Sequence, residues 1–124
     1  VLICGASGAG KSDLALRLID RGFTLVSDDQ TIVQKRGNRL LAHAPQTIHG
    51  KLEIRGIGII SMPTVNDVPV SLCVELTSDI QRLPDDSRER IIAGLPVPLI
   101  TVDAMTASAP SKVSLALDRF GLKP

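Results

Sequence analysis

Short apolar runs, each cut off by glycine, proline or paired charges, dominate the chain. Residues 1–4 form one such run, and it stops at Gly5. A glycine-rich stretch follows, and then Leu14, Ala15, Leu16, Leu18 and Ile19 recur at helical spacing, predicting a helix from Lys11 to about Arg21 with Gly22 as its stop. Residues 23–27 return to strand character and end at Asp28-Asp29. Together these read as a strand–helix–strand unit, whose right-handed crossover would make its two strands parallel. Residues 31–33 and 39–42, joined through the polar turn 35–38, predict a hairpin.

Beyond Pro45 a loop carries His49, Gly50 and Lys51, and residues 52–60 read as one strand despite Gly56 and Gly58. Further strands are predicted over 70–76, 99–102 and 113–117, with a charged loop and turn over 84–90 leading to a short helix through Ile91-Ile92. Repeats, low-complexity tracts and linkers are absent from the sequence. The pattern predicts a single α/β domain over residues 1–124, with a mixed, strand-rich sheet and few helices.

Composition narrows the function classes. The chain has 124 residues, 44% hydrophobic and 22% charged, with a formal net charge of +1, so a polyanion-binding surface is not its main business. The only aromatics are Phe23 and Phe120, which excludes an aromatic stacking platform for bases. No apolar run approaches the roughly 18 residues that span a membrane. Two cysteines, Cys4 and Cys73, are too few for a disulfide framework and lead us to expect a cytoplasmic protein. The chain begins at Val1, without methionine and inside a predicted strand, and is read as trimmed at that end.

The chemistry starts at Gly5-Ala6-Ser7-Gly8-Ala9-Gly10-Lys11-Ser12, which matches G-x-x-x-x-G-K-[ST] with an apolar strand before it and a helix after. Glycines let successive amide N–H groups face phosphate oxygens, and the helix N-terminus adds unpaired donors and the positive end of its dipole. Lys11 would reach the β- and γ-phosphates of ATP, and the Ser12 hydroxyl would ligate Mg²⁺.

Such a loop needs an acid for the metal and often another for the acceptor. Asp28-Asp29 ends the strand after the helix, where sites on parallel sheets gather. Adjacent residues point apart, so one could serve the metal while the other meets an acceptor hydroxyl. Asp103 also follows an apolar run, while Glu75 lies within its strand and suits an ordinary ion pair or an edge position. Glu53 and Arg55 stand two residues apart on one predicted strand face, either as an ion pair or as a metal-facing acid beside a phosphate-facing guanidinium. His43 and His49 lack metal-ligand spacing and read as surface or loop residues.

Three segments, GASGAGKSDLALRLIDRG, LVSDD and KLEIRGIGII, with HAPQTIHG before the last, resemble the HPr kinase/phosphorylase family. The likeness is to the short, catalytic-domain-only form of some proteobacteria. It implies ATP-dependent phosphorylation of a serine on the phosphocarrier HPr, and phosphorolysis in reverse. It implies Asp28 as general base, and as general acid in the reverse direction, Asp29 and Glu53 near magnesium, and Arg55 near the phosphates. It also implies assembly into hexamers. The family also carries a histidine upstream of the phosphate loop, at a position that would lie before Val1. Near the carboxyl end, Lys112 is the only cation where longer members have an arginine-containing loop, and lysine lacks that bidentate fork. Two alternatives stand beside this reading: a small-molecule kinase of the P-loop class, against which the absence of a lid-like insertion counts, and a nucleotide-binding regulatory module without transfer activity.

Overall fold

The structure is a computed structural model and describes residues 1–6, 8–78 and 88–123. In chain order its elements are β1 (Leu2–Cys4), α1 (Lys11–Asp20), β2 (Ile32–Arg36), β3 (Arg39–His43), a single 3₁₀ turn (Gln46–Ile48) and β4 (Lys51–Ile54). There follow β5 (Gly58–Ser61), β6 (Val68–Pro69), β7 (Cys73–Leu76), β8 (Glu89–Ile92), β9 (Leu95–Val102) and α2 (Ala109–Phe120).

A four-stranded sheet in the order β1-β7-β9-β8 forms the centre. β1, β7 and β9 run parallel, and β8 closes the edge antiparallel to β9. Side chains alternate across a strand, so the sheet buries two faces. On one, Val74, Leu76 and Val102 pack with Leu14 and Leu18 of α1 and with Ala109, Val113 and Ala116 of α2. On the other, Cys73 and Val97 pack with Leu40 and Ala42 of β3. The strands β2-β3-β6 form the second layer there.

The predicted helix after the glycine loop is α1. Leu14 and Leu18, one turn apart, are its buried pair, and the Gly22 amide closes the end on the Ile19 carbonyl at φ 102°. The predicted hairpin is β2–β3, turning at Gly37-Asn38 with Gly37 at φ 63°.

Elsewhere long-range pairing redraws the picture. Residues 23–27 do not complete a strand–helix–strand unit. Their pairing is one parallel bridge, Leu25 to Thr64, and the parallel neighbour of β1 is β7, far along the chain. Residues 52–60 are not one strand. The turn at Arg55–Ile57 folds them into the β4–β5 hairpin, with Gly56 at φ 86° and Gly58 at φ 115°, conformations that side chains rarely adopt. Over 70–76 only Cys73–Leu76 is strand.

Ile91 and Ile92 lie in β8 rather than a helix, while the charged stretch before them falls largely outside the described residues. β9 begins four residues earlier than its prolines suggest. The Leu99 amide donates towards β8 (Arg88 O, 3.1 Å), so Pro96 and Pro98 turn their nitrogens the other way, ahead of the point where β7 starts to pair. Residues 113–117 are helical, within α2. Pro110 suits a first turn, and Ala109, Val113 and Ala116 form the buried stripe.

Candidate active site

β1, β7 and β9 end together, and the chain leaves β1 through Gly5 into a loop that reaches α1 at Lys11. Gly8 and Gly10 take φ of 82° and 98°, and Gly10 at the helix N-cap offers the first amides of α1 no side-chain acceptor. Ser7, a predicted loop residue, lies outside the described residues. Close packing would crowd a side chain at two of the glycines. A Cβ on Gly5 would meet Ala9 and Leu76 at 3.2 Å, and one on Gly10 would meet Ala104 at 3.2 Å.

Lys11 folds back over this loop, its Nζ donating to the carbonyls of Gly5 (2.8 Å) and Ala6 (3.1 Å). The next residue points elsewhere: Ser12 Oγ donates to Asp28 Oδ1 at 2.8 Å. The other oxygen of that carboxylate accepts the backbone amide of Glu53 at 2.9 Å. Asp28 thus joins the start of α1 to β4, and both of its oxygens are engaged. Asp29 beside it is exposed, as is the side chain of Glu53. A cavity of about 550 Å³ opens here, with Lys11, Ser12, Asp28 and Asp29 on its polar side and Leu2, Leu25 and Val26 among its aliphatic walls.

Other predicted residues stand apart from this cluster. Arg55 sits exposed in the β4–β5 turn, not on a strand face with Glu53, and pairs with no acid among the described residues. Lys112 is exposed in the first turn of α2. Asp103 builds its own loop: its Oδ1 accepts the Met105 amide at 2.9 Å, and its carbonyl accepts the Thr106 hydroxyl at 2.8 Å. Glu75 is in the expected ion pair, with Arg90 at 3.8 Å. His49 Nε2 accepts from Asn66 Nδ2 at 3.1 Å in a loop contact, and His43 Nδ1 lies 4.0 Å from the exposed Asp67. Among the described residues no three His, Cys, Asp or Glu side chains group as metal ligands.

The model of the HPr Serine kinase C-terminal domain matches residues 1–116. The chain belongs to this family. The HPr kinase/phosphorylase of Latilactobacillus sakei is 41% identical, over 82% of this chain and 37% of its own length. That of Prosthecochloris aestuarii is 34% identical, over 81% of this chain and 33% of its own. A solved structure, described as the Hpr(Ser) kinase/phosphatase from Coxiella burnetii, superposes with a TM-score of 0.81 at 33% identity, covering 94% of this chain and 79% of that one. The chain therefore spans little more than a third of the curated relatives' length.

The oxygens beside the glycine loop can be tested against what a magnesium ion would need. Mg²⁺ prefers hard oxygen ligands and is usually held by one or two carboxylates, water and phosphate oxygens. The hydroxyl–carboxylate pair Ser12–Asp28, already in contact beside the phosphate loop, supplies such oxygens without a cage of three acids.

Two contributors carry no signal in the sequence. The Glu53 amide acts through its backbone, invisible to residue type. Arg17 reaches across from α1 to the carbonyls of Ala104 (2.5 Å) and Thr106 (3.2 Å), holding the loop after β9 against the helix that carries Lys11. Only the tertiary fold brings these together.

Proposed function

We propose that this chain is a single P-loop catalytic domain that transfers the γ-phosphoryl of ATP to a serine of an HPr-like phosphocarrier, and returns that phosphate to inorganic phosphate in reverse. The contact between Ser12 and Asp28, one residue from Lys11 on the glycine loop, carries this reading. It supports the reading because a hydroxyl–carboxylate pair, the end of the glycine loop and a second acid line one cavity.

The loop amides and the N-terminus of α1 hold the triphosphate, and Lys11 exchanges its carbonyl partners for phosphate oxygens. Magnesium, when bound, supplies charge neutralisation at the phosphates. The bonding around the paired acids favours a division of labour opposite to the one the family resemblance implies. Asp28, fixed by Ser12 and by the Glu53 amide, holds the cation side. Asp29, exposed and adjacent, takes the proton from the acceptor serine and returns it in the reverse direction. Glu53 adjoins the site through its amide on Asp28, whereas Arg55 and Lys112 stand apart from it and would meet the phosphates or the partner only once the substrates are bound. A homo-oligomer, a hexamer by family resemblance, is the form in which the full-length protein would act.

The test is intact-mass spectrometry of HPr incubated with full-length protein, ATP and magnesium. A gain of one phosphate, removed again on adding inorganic phosphate, is the expected result. An unmodified carrier, together with ATP binding by calorimetry, would leave a nucleotide-binding module and overturn the transferase reading.

A further inference from the structure

The parallel register of β1 with β7 pairs Leu2 with Cys73 and Cys4 with Glu75. Alternate residues share a face, so both cysteines project from the same side of the sheet on adjacent strands, two positions apart along the ladder. Leu2 and Cys73 pack together in the core on that side, away from the helices. Glu75, directly beside Cys4, is ion-paired to Arg90 of β8, which brings a guanidinium to the same strip. Cys73 is fully buried, whereas Cys4 is partly exposed and is bonded in sequence to Gly5, the first residue of the phosphate loop.

We propose that Cys4 and Cys73 are a redox-responsive thiol pair that couples oxidation by peroxide to the phosphate loop. The Cys4 thiolate attacks a peroxide oxygen. The O–O bond breaks, the sulfur is oxidised to sulfenic acid, and with hydrogen peroxide the other oxygen leaves as hydroxide and is protonated to water. The Cys73 sulfur then displaces the sulfenic oxygen as a second water, closing an S–S bond. In sum, two thiols lose two electrons and two protons, and one peroxide becomes two waters.

The environment suits these roles. A hydrogen bond from the Cys73 thiol pulls the Cys4 thiol down to about 6; burial opposes this and the Arg90 guanidinium assists it. Cys73 is pushed up by the same contact and by burial, so it stays protonated until the sulfenic acid forms.

Closing that bond should move the loop. Diagonal neighbours on paired strands have Cα atoms about 7–8 Å apart, at or just beyond the span that a disulfide bridges without backbone movement. Cys4 would be drawn back towards the start of β7, and Gly5 with it. A Cβ added to Gly5 would already lie 3.2 Å from Ala9 and Leu76, and the Gly5 carbonyl holds Lys11, so a shift of Gly5 would carry the loop with it.

The coupling half of this inference rests on the nucleotide-binding reading above; the thiol half does not. The test exposes reduced full-length protein to one equivalent of hydrogen peroxide. The mass should fall by two hydrogens, digestion without reductant should yield one peptide joining Cys4 to Cys73, and the calorimetric Kd for ATP should weaken about tenfold and recover with dithiothreitol. In Cys73→Ser the link should be lost and Cys4 should become labelled by dimedone. Should that variant fail to fold, peptide mapping of the unmodified sequence decides the pairing alone. Thiols that both still titrate after peroxide, a bond between two chains, or linked protein that binds ATP as tightly as reduced protein would each overturn the proposal. Absence of ATP binding in the reduced protein would instead sink the nucleotide reading, while mapping still settles the thiols.

Discussion

Two loops leave the same end of the central sheet and treat their polar groups in opposite ways. The loop after β9 is self-contained. Asp103 accepts the Met105 amide, Thr106 bonds back to Asp103 through both its amide and its hydroxyl, and Arg17 occupies the carbonyls of Ala104 and Thr106. The loop after β1 leaves the helix behind it without a side-chain cap, and the residues that follow seek partners far away, Ser12 on Asp28 and Asp28 on Glu53. Both loops offer an acid or hydroxyl near a parallel strand end. What separates wall from working surface is whether those groups are used up locally.

Substitutions that break this contrast should rank accordingly. The largest effect is expected on the open side. Lys11→Ala should lower phosphoryl transfer by about 10²–10³ or more, with circular dichroism unchanged, because a donor aimed at developing charge is lost. The acid pair sharpens the division proposed for it. Asp29→Asn should lower turnover by about 10²–10⁴ while magnesium-ATP binding persists, whereas Asp28→Asn should weaken that binding itself. Calorimetry and steady-state kinetics on the two variants read this directly, and the reverse pattern would return the general base to Asp28. On the closed side the effects are on stability. Arg17→Ala leaves the Ala104 carbonyl without its donor, while the Thr106 carbonyl keeps the Ala109 amide, and should cost about 1–3 kcal/mol in denaturant unfolding. Asp103→Ala removes a single local bond and should cost about 0.5–1.5 kcal/mol with transfer nearly unchanged.

What could be read from the chain follows the same line between local and distant. α1, the glycine loop and the β2–β3 hairpin were legible because each is specified by its own residues: helical spacing, a complete motif, a Gly37-Asn38 turn. α2 was missed although Pro110 and the spacing of Ala109, Val113 and Ala116 were there, because a short run around Val113 reads as strand when taken alone. The pairing of β1 with β7, and the bridge that holds Leu25 to Thr64 instead of to the sheet, depend on closures that no local pattern encodes. At the site, Lys11, Ser12 and the two aspartates came from motif and position. The separation of Arg55 from Glu53 followed from a turn at Gly56 that a continuous apolar reading passed over.

The ammonium of Lys11 is never stranded, since Gly5 and Ala6 lend it two oxygens from its own loop. An incoming anion therefore competes with peptide dipoles already in place rather than with bulk solvent alone. Occupancy becomes an exchange of acceptors, and a departing product hands the cation back to neighbours within reach. If the proposed nucleotide binds here, such an exchange would temper how tightly a phosphate is retained and would ease traffic in both directions.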